Sequence, residues 1–253
     1  MNIQYAGKTD VGMRRAHNED TLKLIPNERL FVVADGMGGH ASGEVAARIA
    51  VDCVARFFED TRRDKDITWP ARESPELSQE ENRLVAAVKL ANLSIYEKAE
   101  SDSRLKGMGT TIVCFQLVGE SALMGHVGDS RAYRIRGATI DQLTEDHSLL
   151  NDYKKMSELT PEEEANFPHK NIIVRALGMK PSVQVDVVRD TPQTGDIYLL
   201  CSDGLSGELS DEEILSIVQA NEQDLQRGCD ELIRAACEAG GKDNITIILV
   251  QLL

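Results

Sequence analysis

The sequence predicts an α+β fold, a four-layer αββα sandwich in which two antiparallel β-sheets pack face to face with a helix pair outside each. Three observations carry this. Strand-like segments open the chain, fill its middle and close it. Long segments with apolar residues at helical spacing come in two pairs, one between the first and second groups of strands and one before the closing strand. The strands themselves are short apolar runs bounded by glycine or acidic residues, the pattern of buried strands.

Taken in order, Met1 to Asp10 is polar and strand-like. Asn18-Glu19-Asp20 precedes a second strand at Thr21–Ile25, and Leu30–Ala34 forms a third that stops at Asp35-Gly36. The first helix is expected from Ala41 to Glu59, with Val45, Ala46, Ile49, Ala50, Cys53, Val54, Phe57 and Phe58 on its apolar side. Asp60 to Pro75 is charged and carries Trp69-Pro70 and Ser74-Pro75, which makes it an irregular surface connection. Ser78 with Glu81 three residues on reads as a capping box, opening a helix to about Ser101. From Gly109 to Leu143 the pattern is one of successive strands turning at Gly119-Glu120 and Arg136-Gly137, read as antiparallel hairpins. Asp146 to Pro181 breaks that pattern with short helical pieces, an acidic Pro161–Glu164 and a polar Phe167–Asn171; such a segment inside a compact domain is functional more often than idle. Strands return at Val183–Val188 and Ile197–Cys201, helices follow at Asp211–Ala220 and Asp224–Ala239, and Ile245–Leu252 closes the chain. No repeat, linker or low-complexity tract interrupts residues 1–253, so one domain is expected.

The bulk numbers narrow the function. A chain of 253 residues, 42% hydrophobic, can bury a sizeable core. A net charge of -14 argues against nucleic-acid and anionic-membrane surfaces, both of which need a basic footprint. No apolar stretch approaches the roughly 20 residues that span a bilayer, and the polar N-terminus has no signal-peptide pattern. Cys53, Cys114, Cys201, Cys229 and Cys237 form no CxxC and lie mostly in apolar segments, as reduced thiols in a cytoplasmic protein would.

The acidic punctuation is the functional signal. Three apolar runs end in aspartate, at Asp35, Asp129 and Asp203, and two more strands are preceded by Asp20 and Asp243. A carboxylate at the lip of a buried strand is costly unless a cation or donors compensate it. Several such strand ends converging imply a carboxylate-lined site for more than one metal ion. Oxygen ligands without a matching His or Cys cluster favour Mg²⁺ or Mn²⁺ over Zn²⁺. Asp35–His40 could also be read as a phosphate cradle opening the next helix, but it lacks the P-loop lysine and the GxGxxG spacing. His126, inside a strand, reads as a core histidine; His17, His147 and His169 read as surface or flexible-segment residues; Cys201 reads as a small core residue.

In order along the chain, Asp10-Val11-Gly12-x-x-Arg15-x-x-Asn18-Glu19-Asp20, Asp35-Gly36-Met37-Gly38-Gly39-His40, Gly109-Thr110-Thr111, Val127-Gly128-Asp129-Ser130-Arg131, Ser202-Asp203-Gly204 and Lys242-Asp243-Asn244 resemble the motifs of the metal-dependent serine/threonine protein phosphatases, the protein phosphatase 2C or PPM family. Any one of these motifs is weak alone; their shared order over nearly the whole chain is specific, and the Met37–His40 form resembles bacterial members.

The resemblance implies hydrolysis of phosphoserine and phosphothreonine by a metal-bridging hydroxide, reversing serine/threonine kinase signalling. It implies that Asp35 bridges two Mn²⁺ or Mg²⁺ ions, that the Gly36 carbonyl joins the second, and that Asp203 and Asp243 complete the first. Asp20, with Glu19 nearby, would hold waters on the ions. Asp129 would pair with Asp203 at a weaker third ion. Arg15 would clamp the substrate phosphate, with Arg14 pointing the other way along an extended segment. His40 is the best-placed histidine to protonate the leaving group, although it lies a few residues later than the histidine of the eukaryotic motif. Residues 146–181 align with the family's flap beside the active site. The implied partners are phosphorylated proteins and a cognate serine/threonine kinase, with no nucleic acid and no membrane, and the chain is expected to be a cytoplasmic monomer. The alternatives are a silent phosphoprotein-binding pseudophosphatase, disfavoured because every expected carboxylate is present, and a phosphatase specific for an anti-sigma-factor antagonist.

Overall fold

Period-two alternation along the strands sends successive side chains to opposite faces, and in this chain it sorts them into three apolar layers. In β3 (Leu30–Met37), Leu30, Val32 and Ala34 face one helix pair, whereas Phe31 and Val33 face the opposing sheet. In β10 (Ile197–Cys201), Leu199 and Cys201 face the other helix pair, and Tyr198 and Leu200 point back between the sheets. Strands covered on both sides have no polar face to show, so their sequences read as continuous apolar runs.

The structure, a computed structural model, describes residues 2–38, 42–64, 67, 69, 73–157, 159, 160, 163, 167 and 172–253. Its elements are β1 (Ile3–Asp10), β2 (Asp20–Ile25), β3 (Leu30–Met37), α1 (Ser42–Arg63), α2 (Gln79–Ser101), β4 (Gly109–Thr110), β5 (Ile112–Val118), β6 (Ser121–Val127), β7 (Arg131–Arg136), β8 (Thr139–Gln142), α3 (Leu149–Met156), β9 (Asp186–Asp190), β10 (Ile197–Cys201), α4 (Asp203–Ser206), α5 (Asp211–Ala220), α6 (Leu225–Ala239) and β11 (Ile245–Leu252). One sheet runs β1-β11-β10-β7-β8 and the other β2-β3-β5-β6-β9, with β4 added on β3; all pairings are antiparallel. Helices α1 and α2 pack on the second sheet, and α5 and α6 on the first. The predicted α+β sandwich is borne out. Among the described residues, no helix is long and apolar enough to cross a membrane.

Local signals are realised where they were clear. Ser78 accepts from the Glu81 amide at 3.2 Å and Glu81 returns the bond to the Ser78 amide at 2.7 Å, closing the predicted capping box of α2. The turns at Gly119-Glu120 and Gly137 close the β5–β6 and β7–β8 hairpins. The expected run of hairpins breaks between them: Gly128-Asp129-Ser130 carries the chain from one sheet to the other, because β6 is already paired on both edges, by β5 and β9. The strand expected at Val183–Val188 is shifted to Asp186–Asp190, since Val183 and Val185 pack into the helix-side core instead. Helix α1 reaches Arg63 rather than Glu59. Parts of two expected segments, within Asp60–Pro75 and within Pro161–Asn171, lie outside the described residues.

Candidate metal centre

Antiparallel topology brings the acidic strand ends to one end of the sandwich. β2 begins there at Asp20, whose register partner on β3 is Asp35. β6 ends there before Asp129, β10 ends before Asp203, and β11 begins just after Asp243. Alternation continues past the apolar stretch, so Asp35 follows Phe31 and Val33 on the face toward the opposite sheet, and Asp20 precedes Leu22 and Leu24 on the same side. Five predicted ligand aspartates thus lie at one mouth. Gly36 lies where α1 crosses β3, and a Cβ there would stand 2.2 Å from the Gly43 carbonyl oxygen, so only glycine lets these backbones approach.

A frame of hydrogen bonds that the sequence reading did not single out sets these aspartates. Asp20 Oδ2 accepts from Ser202 Oγ at 2.8 Å and from Thr246 Oγ1 at 2.7 Å, which ties β2 to the opposing sheet. The Thr110 hydroxyl and the Thr111 amide both donate to the Asp35 carbonyl, each at 2.8 Å. Asn244 accepts from the Glu19 amide at 2.8 Å and donates to the carbonyls of Val11 and His17 at 2.9 and 3.0 Å, stapling the Arg15 loop to the Asp243 loop. The signal available for Ser202, Thr110, Thr111 and Asn244 was their place inside the motifs, and Thr246 lies in none of them. Their bonds are long-range and invisible to local pattern.

The electrostatics are those of a carboxylate cluster short of positive charge. Burial, and after it repulsion from Asp20, Asp203, Asp129 and Asp243, pushes the Asp35 carboxyl well above the usual range. Burial raises Asp20 to about 6, against the pull of Thr246 and Ser202. Burial and then Asp203 and Asp146 raise Asp129 to about 7, and Asp203 is raised by burial and by Asp243. Asp129 Oδ1 and Asp203 Oδ1 are buried and, among the described residues, without a hydrogen-bond partner. Carboxylate oxygens that are hard donors, buried together and unsatisfied, fit a divalent cation such as Mn²⁺ or Mg²⁺. Among the described residues no three acidic, His or Cys side chains stand around one point as a finished ligand set. Asp243 is instead ion-paired with Arg15.

Arg15 is exposed and donates to Asp243 Oδ2 at 2.5 Å, at the rim of the cluster. Its segment is a turn rather than the extended chain expected, because residues 12–14 bend back and Met13 bonds the Gly241 carbonyl, so the alternation argument for Arg14 does not hold. His40 lies outside the described residues, as does His169. His126 is buried as expected. His147, read as a surface or flap residue, does lie in the 146–181 segment but is not at the surface: it is 5% exposed and bonded to Gly128 and Asp186, because the start of that segment folds under β6. A cleft of 370 Å³ opens beside the cluster, lined among others by Asp129, Arg131, Asp146, Asp203, Lys242 and Asp243.

A two-sheet sandwich with helices outside and aspartates gathered at one mouth is an architecture of protein phosphatases. The protein phosphatase 2C profile matches residues 14–246, and the chain belongs to that family. The serine/threonine phosphatase stp of Listeria monocytogenes serovar 1/2a is 37% identical over 247 residues, 96% of this chain and 94% of the relative. The solved structure of the S. agalactiae serine/threonine phosphatase gives a TM-score of 0.86 at 35% identity, covering 100% of both chains. The catalytic domain of the serine/threonine protein phosphatase PstP, solved in complex with two manganese ions, gives 0.81 at 34% identity, covering 98% of this chain and 97% of that one. The enzyme class expected from the motifs, a protein phosphatase, is borne out.

Proposed function

We propose that this chain hydrolyses phosphoserine and phosphothreonine esters of bacterial proteins, using Mn²⁺ or Mg²⁺, and so opposes a cognate serine/threonine kinase. The observation that carries the reading is the convergence of Asp20, Asp35, Asp129, Asp203 and Asp243 on one mouth with Arg15 at its rim. Asp35, which feels the other four carboxylates, and the Gly36 carbonyl beside it would hold the ions. Asp203 and Asp243 would complete one ion. Asp20, held by Ser202 and Thr246, would orient its waters rather than bind directly. Asp129 and Asp203, each with an orphaned buried oxygen, would hold a third ion. Bound there, divalent cations supply the charge that lowers the pKa of a water and offsets charge on the phosphoryl group.

The chain's own residues do the rest. Arg15 can exchange its Asp243 partner for two phosphate oxygens, since a guanidinium fork matches either anion. Cys201, buried and with its thiol pushed up to about 12, is no nucleophile. The 370 Å³ cleft has room for a phosphorylated side chain and its flanking backbone. The PstP complex with two manganese ions supports the metal part of the reading by similarity. Phosphate release from a phosphothreonine peptide, measured with Mn²⁺ and again with EDTA, tests it; turnover that survives exhaustive chelation would refute it.

A further inference from the structure

The loop Gly128–Arg131, which carries Asp129 from one sheet to the other, is gripped at both ends by two consecutive residues, Asp146 and His147. At one end the Gly128 amide donates to His147 Nδ1 at 3.0 Å and the His147 amide donates to the Gly128 carbonyl at 2.9 Å. At the other end Arg131 makes a forked pair with Asp146, at 3.0 and 2.7 Å. Gly128 is itself wedged, with a φ of +110° and a virtual Cβ 2.6 Å from Thr111, the residue whose amide holds the Asp35 carbonyl. The loop can therefore shift only if its grip is released.

His147 is held in turn. Its Nδ1 accepts, so Nε2 carries the proton and donates to Asp186 Oδ2 at 3.1 Å. Arg175 donates to Asp186 Oδ1 at 2.6 Å, and the Val174 amide donates to the His147 carbonyl at 2.9 Å. The Leu149 amide bonds the Ile172 carbonyl at 2.9 Å, and His126 donates from Nε2 to the Glu145 carbonyl at 3.0 Å. Both stems of the 146–181 segment thus meet at His147. We infer that His147 is a positioning residue that couples the seating of this segment to the placement of Asp129, and through it to the affinity of the weakest cation site. The last clause rests on the phosphatase reading; the mechanical coupling does not.

Two substitutions separate the contacts. In His147→Asn the amide oxygen stands where Nδ1 stood and keeps the Gly128 bond; in His147→Gln the amide nitrogen stands near Nε2 and keeps Asp186 but loses Gly128. Exchange of the Gly128 amide, followed by NMR in EDTA, should quicken about tenfold or more in His147→Gln and by less than about threefold in His147→Asn, the scale of one lost hydrogen bond. Calorimetric titration with Mn²⁺ alone should show only the weakest binding event weakened, about tenfold in His147→Gln, with His147→Asn near wild type. Equal exchange in both variants, fast or slow, would overturn the positioning role, leaving His147 a core filler. Faster exchange with an unchanged weak Mn²⁺ event would overturn the coupling to the cation. If neither variant folds by circular dichroism, Arg175→Gln carries the test: faster Gly128 exchange supports the coupling and unchanged exchange overturns it. A wild-type protein inactive on phosphopeptides would remove the phosphatase reading while leaving the exchange result intact.

Discussion

Asp20 and Asp35 face each other as register partners across β2 and β3, one opening its strand and the other closing the apolar part of its own. Their side chains share the face that looks toward the second sheet, where the hydroxyls of Ser202 and Thr246 donate to Asp20. Asp35 is left among carboxylates. The pairing therefore stores a charge imbalance at the mouth of the fold, and several consequences can be measured.

Stability without metal should fall as pH rises. Asp20 keeps its proton to about pH 6 and Asp129 to about 7 in the folded chain, both from an ordinary value of 3.8, chiefly through burial. Between roughly pH 4 and 7 the folded state binds more protons than the unfolded one, so unfolding free energy declines across that window. Urea unfolding in EDTA at pH 5, 6 and 7 should show this slope, and saturating Mn²⁺ should remove or reverse it. A metal-free stability that rises over the same range would contradict the cluster.

Asp35→Ala and Asp203→Ala should each abolish turnover of a phosphothreonine peptide while leaving the circular dichroism spectrum intact. Both remove a member of the crowded set, so the metal-free variants should melt at or above the wild-type temperature. Retention of more than about a tenth of wild-type activity in Asp35→Ala, less than 1.4 kcal/mol of barrier, would be too small a loss for a bridging ligand.

The layers and the five aspartates were legible because they are written in local pattern. Runs such as Leu30–Ala34 and Ile197–Cys201 end where the fold opens, and Ser78 with Glu81 announces α2. What stayed hidden depends on contacts between distant segments. Nothing near His147 in the chain signals that it will be buried against Gly128, and nothing near Asn244 signals bonds to Val11 and His17. The Gly128–Ser130 crossover looked like one more hairpin because a turn sequence does not tell whether its flanking strands share a sheet. The turn at residues 12–14 was missed because its partner, the Gly241 carbonyl, is far along the chain.

Arg15→Ala should raise KM for phosphopeptides by the equivalent of about 1–3 kcal/mol, the scale of a charge-assisted phosphate contact. Because Arg15 now holds Asp243, its removal frees a carboxylate, and Mn²⁺ affinity should stay level or increase. Weaker Mn²⁺ binding at unchanged KM would place Arg15 in a different role.

Asn244→Ala should be costly for so small a change. It strands the Glu19 amide and the carbonyls of Val11 and His17 in a half-buried setting, for a loss of about 1–3 kcal/mol in urea unfolding. The loop that carries Arg15 would loosen with it, so KM for phosphopeptides should rise as well. Asn244→Asp keeps the acceptor for Glu19 but not the two donations, and adds charge beside Asp243, so it should be no better than alanine in metal-free protein. A silent Asn244→Ala would show that the staple holds nothing.

Asp129→Ala addresses the proposed third ion. The leaving alkoxide of a serine or threonine must be protonated as it departs, whereas p-nitrophenolate leaves readily without a proton. If Asp129 helps hold the proton donor, the variant should lose activity on phosphopeptides and lose much less on p-nitrophenyl phosphate. Only Asp129 and Asp203 would serve this ion from the protein, so its binding should be weak. Wild-type activity on phosphopeptides should then keep rising with Mn²⁺ after the stronger sites are full, and Asp129→Ala should flatten that rise. Removing a buried carboxyl that keeps its proton to about pH 7 should also reduce the pH dependence of metal-free stability described above. Equal losses on both substrates would refute proton delivery. An unchanged Mn²⁺ titration would reduce Asp129 to a crossover residue whose charge the fold merely tolerates.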